Sequence, residues 1–231
     1  MNLGNLKTLA RAYMPGAKKN VVTDSTLGLI LNEGAKDIAI KTMCLPTSVK
    51  FSSVAGQQEY NLSIIATRFA EIDKPGIWYK QSSTDDYRQL LPKTIKWLDR
   101  RLGTWRNVGS GTTRYYAQYG DVVVMYETPD ATVSNAYHMY YTQYPLSMTT
   151  DSHYPFGNLT EIERLTSLSD VILLFWEWKA SKILGDSEQV IEAKHQQYIT
   201  TMHSEKKRLS RLPDINASKY TKFQGRSYRE L

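Results

Sequence analysis

The spacing of apolar residues divides the chain into helical ends and a strand-rich middle. Near the start, apolar positions recur every three or four residues over 2–14 and again over about 25–43, which predicts two amphipathic helices. Thr23 and its two polar neighbours offer N-caps for the second helix, and Pro46 follows its end. The apolar stripe of that helix consists of Leu27, Ile30, Leu31, Ala35, Ile38 and Ala39.

The residue composition changes between about 48 and 145, where Tyr, Val and Thr become frequent and Gly and Pro interrupt them at short intervals. This pattern predicts an antiparallel sheet module. Strands are expected at 49–53, 59–62, 77–80, 112–118, 122–126 and 137–144. The first two should form a hairpin around Gly56, and the fourth and fifth should form one around Gly120. A short helix is expected over 92–101.

Helical spacing returns after residue 158 and predicts a closing pair of helices. Thr160 as N-cap and Glu163 three residues later match a capping box, so the first helix should begin there. Its segment 171–176 is apolar all round, which favours burial on several sides. Gly185 should end this helix, and the second should fade near Lys206.

Together these elements predict an α+β fold that is mainly a helical bundle, with an inserted antiparallel β module and an extended C-terminal tail. The helices near the two ends of the sequence should pack into one bundle. The predicted boundaries are 1–24 for an N-terminal arm or short helix, 25–46 with 158–206 for the bundle, 47–157 for the β module, and 207–231 for the tail.

Charge changes this picture at the C-terminal end. The chain carries a formal net charge of +6, and from Lys206 onward there are eight basic and two acidic residues. The first 205 residues carry 21 of each sign, so we expect a neutral folded body with no basic stripe of its own. Beyond Pro213 no periodicity remains, and such a segment cannot bury enough area to offset its ordering entropy.

Three interpretations of the tail stay open on composition alone. The first is a solvated chain end, and the second is a segment that becomes ordered on a protein partner. The third is a binder of single-stranded nucleic acid that stacks bases on its aromatic rings. The regularly spaced aromatic residues and the neutral body favour the protein partner. The candidate partner-binding residues are Lys206, Lys207, Arg208, Arg211, Tyr220, Phe223, Arg226, Tyr228 and Arg229.

The residues that carry chemistry in enzymes are not arranged in a familiar motif. There is no GxGxxG, Walker or GxSxG sequence, and the single Cys44 lies between apolar neighbours, which favours a buried, unreactive thiol. His195 and His203 are too far apart for one metal ion. We therefore expect no enzyme, cofactor or metal site. A particle-associated wall-degrading enzyme using Glu161 and Glu163 is the alternative, since glycosidases pair two carboxylates.

No apolar run is long enough for a membrane span, and Lys7 and Arg11 interrupt the N-terminal apolar pattern, so we expect neither a membrane protein nor a signal peptide. An intracellular or particle-bound protein is the expectation.

Several motifs occur in an order that resembles a known family. The segment Leu29–Ala39 resembles the first helix of tailed-bacteriophage head-to-tail adaptor proteins, and Ser53–Ser63 resembles the hairpin that follows it. The segments Gly111–Tyr116 and Gly120–Pro129 resemble a later strand pair, and Tyr140–Ser147 the end of the next strand. The chain departs from the family pattern where the last strand pair ends in Glu-Thr-Pro and where the hairpin ends in Ser.

That resemblance implies a function. Such adaptors form a ring, commonly of twelve, beneath the portal, and the C-terminal segment reaches into the portal ring. The implied partners are the portal, tail or neck proteins, further copies of the chain, and packaged DNA that passes without sequence-specific contacts. The implied location is the neck of the virion, and the host cytoplasm during assembly. A stopper or tail-terminator ring, or a nucleic-acid binder acting through the tail, remain the alternatives.

Overall fold

The computed structural model describes residues 1–14, 21–103, 105–107 and 109–211. Its helices are α1 (Leu3–Ala12), α2 (Asp24–Thr42), α3 (Leu62–Ile65), α4 (Ile95–Leu102), α5 (Leu168–Ile183) and α6 (Glu188–Leu209). Its strands are β1 (Pro46–Phe51), β2 (Glu59–Asn61), β3 (Phe69–Tyr79), β4 (Arg88–Gln89), β5 (Leu91–Pro92), β6 (Ser110–Gly111), β7 (Tyr115–Tyr119), β8 (Val122–Tyr126), β9 (Thr128–Pro129) and β10 (Tyr137–Gln143). None of the described helices is both long and apolar enough to cross a membrane.

The class is α+β, but the prediction of a mainly helical bundle is wrong. Within the described residues the strands form three sheets, in the orders β1-β10-β3-β4, β2-β8-β7-β5 and β6-β9. The β module is also not antiparallel throughout, because β5 pairs with β7, and β6 with β9, in parallel. Strands of two residues leave no periodic pattern in a sequence. The apolar pattern therefore predicted fewer strands than the structure contains.

Helices α1, α2, α5 and α6 pack around one hydrophobic core. Helix α2 begins after Thr23, whose hydroxyl accepts a hydrogen bond from the Thr26 N–H at 3.2 Å. In α5 the side chains of Ile172, Phe175 and Trp176 are all buried, and the indole of Trp176 donates to the Ala10 carbonyl at 3.2 Å. Helix α5 is therefore the central helix of the body.

A second core lies between the two larger sheets and is rich in tyrosine. The centroid of the Tyr137 ring lies 5.4 Å from that of Tyr60 and 5.0 Å from that of Tyr79, and all three rings are buried. Burial raises the pKa of each of these three tyrosines. The high tyrosine content of the chain thus serves its interior as well as its surface.

One predicted hairpin is confirmed and the other is wrong. Strands β7 and β8 pair around Gly120, which has a positive φ of 57° that the turn requires. Strands β1 and β2, by contrast, lie in different sheets: Val49 faces Met139 of β10, whereas Tyr60 faces Val123 of β8. Their partners lie more than sixty residues away along the chain, so no local turn signal revealed them.

The capping box predicted at Thr160 is also wrong. Residues Glu163–Leu165 form a 3-10 turn, and α5 begins only at Leu168. The Glu161 carboxylate binds the N-terminal amine of Met1, so this segment holds the start of the chain instead of capping a helix. The predicted stop at Gly185 is confirmed, with a positive φ of 68° directly after α5.

Candidate partner-binding surface

The predicted partner-binding tail follows α6, so the way this helix is held determines where the tail starts. Helix α6 is 22 residues long, and only Tyr198 and Met202 in it are buried. It packs against α5 and α2 along one side. Most of its surface therefore faces solvent, and a few contacts fix its position.

One of those contacts joins α6 to α2. The Tyr198 hydroxyl donates a hydrogen bond to the Asp37 carboxylate, and Lys41 lies 2.8 Å from the same carboxylate oxygen. Burial and the neighbouring Asp37 both raise the pKa of Tyr198. The ring also meets Phe175 of α5 edge-on, with 5.3 Å between centroids. Tyr198 thus ties three helices together.

A stacked pair joins α6 to α5. The His195 ring lies 4.3 Å from the Trp178 centroid at an angle of 23°. The Lys182 ammonium lies 4.4 Å from the same Trp178 centroid. His195 therefore packs at the contact between α5 and α6, while His203 is exposed. In the described part of the chain, no group of three potential ligands could hold a metal ion.

Arg208 anchors the last turn of α6. Its guanidinium donates to the Glu205 carboxylate at 2.8 Å, to the Ser167 hydroxyl at 2.7 Å and to the Arg164 carbonyl at 3.1 Å. Ser167 in turn donates to Glu205 at 2.7 Å. This network connects the end of α6 to the segment before α5, and it occupies a side chain that the sequence had assigned to partner binding.

The other predicted partner-binding residues divide into two groups. Lys206 and Lys207 lie exposed in the last turn of α6, and Arg211 is exposed just beyond it. These three lie at the base of the tail and face solvent. The predictions for Tyr220, Phe223, Arg226, Tyr228 and Arg229 fall outside the described residues.

The carboxylates of the enzyme alternative are used in other ways. Glu161 pairs with the N-terminal amine, and Glu163 begins the 3-10 turn before α5. Asp85 accepts a hydrogen bond from the Ser82 N–H at 2.9 Å, as turn residues do. Burial raises the pKa of Glu177 in α5, and the charge of Lys194 in α6 opposes that shift.

The motif in α2 that resembled the phage family has a structural explanation. Asn32 binds the backbone of Met148, and Glu33 forms an ion pair with Lys179 at 2.6 Å. Gly34 allows α5 to approach, because a Cβ at this position would lie 2.8 Å from the Phe175 ring. These three residues of the motif therefore maintain the packing of the helical body.

The described residues thus form a helical body with three sheets, and a basic segment of the sequence follows the anchored end of α6. The family model of the SU10 adaptor protein matches residues 1–217. The chain therefore belongs to the SU10 adaptor protein family, a family of phage adaptors. A comparison with proteins of curated function gave no match. Family membership indicates a structural, non-enzymatic component of the phage particle that contacts other head or tail proteins.

Proposed function

We propose that this chain forms an oligomeric ring, expected to contain twelve copies, between the portal and the tail of a tailed phage. The ring docks to the portal through the C-terminal tail and extends the DNA channel. The observation that carries the proposal is the match to a phage adaptor family over residues 1–217. The order of motifs along the sequence supports the more specific position at the portal.

The anchored end of α6 supports a docking role for the tail. Because Arg208 fixes the last helical turn, the tail starts from a defined point on the body. The exposed Lys206, Lys207 and Arg211 at that point attract an acidic partner, and the aromatic residues beyond provide anchors. Repetition of a modest contact around a ring then gives strong overall binding.

The test compares two full-length variants for binding to purified portal of the same phage. The tail variant Tyr220→Ala/Phe223→Ala/Tyr228→Ala should lose portal binding in co-sedimentation while keeping the melting temperature of the wild type. The control Tyr13→Ala/Tyr119→Ala removes two exposed rings from the body and should bind as the wild type does. Both variants keep the Arg208 anchor intact.

The mass of the complex is the second measurement. Wild-type chain mixed with portal should give a complex with one adaptor chain per portal chain, measured by native mass spectrometry. Unchanged portal binding by the tail variant would contradict the docking proposal. Assembly on a tail protein without any binding to portal would instead assign the chain to a stopper or tail-terminator ring.

A further inference from the structure

The neutral charge of the first 205 residues conceals a separation of charge. Residues 93–114 contain six basic residues and one acidic residue, a net charge of +5. The rest of the first 205 residues has a net charge of −5, with 15 basic and 20 acidic residues. This basic segment contains α4, the following turn and the start of β7, so the cations fall in one part of the fold.

Helix α4 is attached to the outside of the β2-β8-β7-β5 sheet by one face. Leu98 and Trp105 are almost fully buried against Ala117 and Val124 of the sheet. The Thr94 hydroxyl caps the helix by accepting from the Trp97 N–H at 3.1 Å. With this face buried, Lys96 and Arg100 are left exposed.

The only carboxylate of the segment is already engaged. Asp99 accepts from the Trp105 indole at 2.8 Å and from Arg106 at 2.7 Å, and these bonds lower the pKa of Asp99. Among the described residues, no carboxylate forms an ion pair with Lys96, Arg100 or Arg114. These three cations are therefore available to an external anion.

A further cation, Lys93, lies beside two aromatic rings in the same region. The Lys93 ammonium lies 4.6 Å from the Trp97 centroid and 5.7 Å from that of Tyr115. Arg114 directly precedes Tyr115, and its carbonyl accepts from the Leu91 N–H at 3.0 Å, which places it beside the strand that leads to α4. We refer to Lys93, Lys96, Arg100, Arg106 and Arg114, which lie on or next to α4 in the fold, as the α4 basic surface.

The composition of this surface indicates the kind of ligand. Protein interfaces have an apolar centre that is poor in charge. Among the side chains that the structure describes around α4, the large apolar one that is clearly exposed is Leu91, at the margin. The first turn of α4 contains no acidic residue, so the positive end of its dipole adds to the lysines. A surface with several unpaired cations and few apolar contacts suits a ligand with regularly spaced negative charges.

We propose that the α4 basic surface binds the phosphodiester backbone of duplex DNA, independently of base sequence. This contact belongs to the folded body and requires neither the C-terminal tail nor the ring. Lys96, Arg100 and Arg114 supply the phosphate contacts, and Lys93 is held over Trp97 at the edge of the surface. Binding of this kind weakens steeply as salt concentration rises, because counterions are released from the DNA.

The experiment measures binding of the full-length chain to a fluorescent 30-base-pair duplex of arbitrary sequence at several NaCl concentrations. The variant Lys96→Gln/Arg100→Gln/Arg114→Gln should lose at least tenfold in affinity at low salt. A plot of the logarithm of its DNA-binding constant against the logarithm of the salt concentration should have a slope that is shallower by about 2–3. Each lost phosphate contact reduces the magnitude of that slope by about 0.9. Circular dichroism should show an unchanged melting temperature.

Two controls with the same loss of charge complete the design. Lys36→Gln/Lys74→Gln/Lys182→Gln removes exposed cations from other parts of the body, and Lys219→Gln/Lys222→Gln/Arg226→Gln removes them from the tail. Both should keep most of the affinity and the full salt slope. Equal losses in the α4 variant and the body control would overturn the proposal, as would a loss confined to the tail variant.

A protein ligand is the remaining outcome. If the wild type binds no duplex, and the α4 variant alone changes the oligomeric state, the surface belongs to an interface with a second copy and the proposal fails. Portal binding is measured separately, so failure of the DNA contact is distinguishable from failure of the adaptor role.

Discussion

Asn32 binds the main chain of Met148 through both polar atoms of its side chain. Its oxygen accepts from the Met148 N–H at 2.7 Å, and its amide nitrogen donates to the Met148 carbonyl at 3.1 Å. Met148 is buried, so its backbone groups have little access to water at this point. One side chain of α2 thereby fixes the segment that leads from β10 back to the helical body.

Replacing Asn32 with Ala should destabilise the protein by about 2–3 kcal/mol, because two buried backbone groups lose their partner. Urea unfolding followed by circular dichroism measures the change in the free energy of unfolding. Lys36→Ala, an exposed change in the same helix, should alter that free energy by less than about 0.5 kcal/mol. Equal stabilities of the Asn32 variant and the wild type would show that the two bonds contribute nothing.

Two glycines in α2 should respond to alanine in opposite directions. At Gly34 a Cβ would lie 2.8 Å from the Phe175 ring, so Gly34→Ala should force α5 outward and destabilise by about 1–3 kcal/mol. At Gly28 the nearest atom is the end of the Lys7 side chain at 3.9 Å, so Gly28→Ala should stabilise by about 0.5–1 kcal/mol through helix propensity. Thermal unfolding of the two variants gives the comparison, and a stabilised Gly34 variant would contradict it.

Arg208→Ala should loosen the end of α6. The loss of three hydrogen bonds to partly exposed partners should cost about 1–2 kcal/mol. Amide hydrogen exchange should accelerate over residues 203–211, while exchange in α5 beyond its first turn stays unchanged. The neighbouring exposed Lys207→Ala is the matched control and should leave exchange as in the wild type. Identical exchange rates in both variants would show that Arg208 does not anchor the end of α6.

The contact between Tyr198 and Asp37 predicts a loss of stability in alkali. The pKa of Tyr198 is raised in the folded protein, so its contribution is complete below the unfolded value of about 10 and is lost as pH rises above it. Above pH 10, Tyr198 alone should lower the free energy of unfolding by up to about 1.4 kcal/mol for each unit of pH.

Tyr198→Phe should remove that part of the slope, measured by urea unfolding between pH 8 and 11.5. Tyr119→Phe is the control, because the Tyr119 side chain is 74% exposed in the folded protein. Tyr137 and the other buried tyrosines contribute to the slope in every variant, so the comparison isolates Tyr198. Parallel curves for the wild type and Tyr198→Phe would contradict the prediction.

Local patterns were sufficient for three elements of the fold. The stripe from Leu27 to Ala39 predicted α2 because helical hydrogen bonds join residues four apart. Gly120 predicted the β7–β8 hairpin because its turn is local. The apolar run 171–176 predicted the central position of α5 because a helix that is apolar all round must be covered on all sides.

The sequence by itself determined the main helices, the one local hairpin, the concentration of charge at the C-terminal end and, through the order of its motifs, the phage adaptor class. The tertiary structure decided the features that join distant residues. It placed β1 and β2 in separate sheets and paired Glu161 with the N-terminal amine. It also joined Arg208 by hydrogen bonds to the segment before α5. Finally, it paired the backbone of Arg114 with Leu91, in the strand that leads to α4. Such contacts depend on which elements meet in space, and no local pattern specifies that.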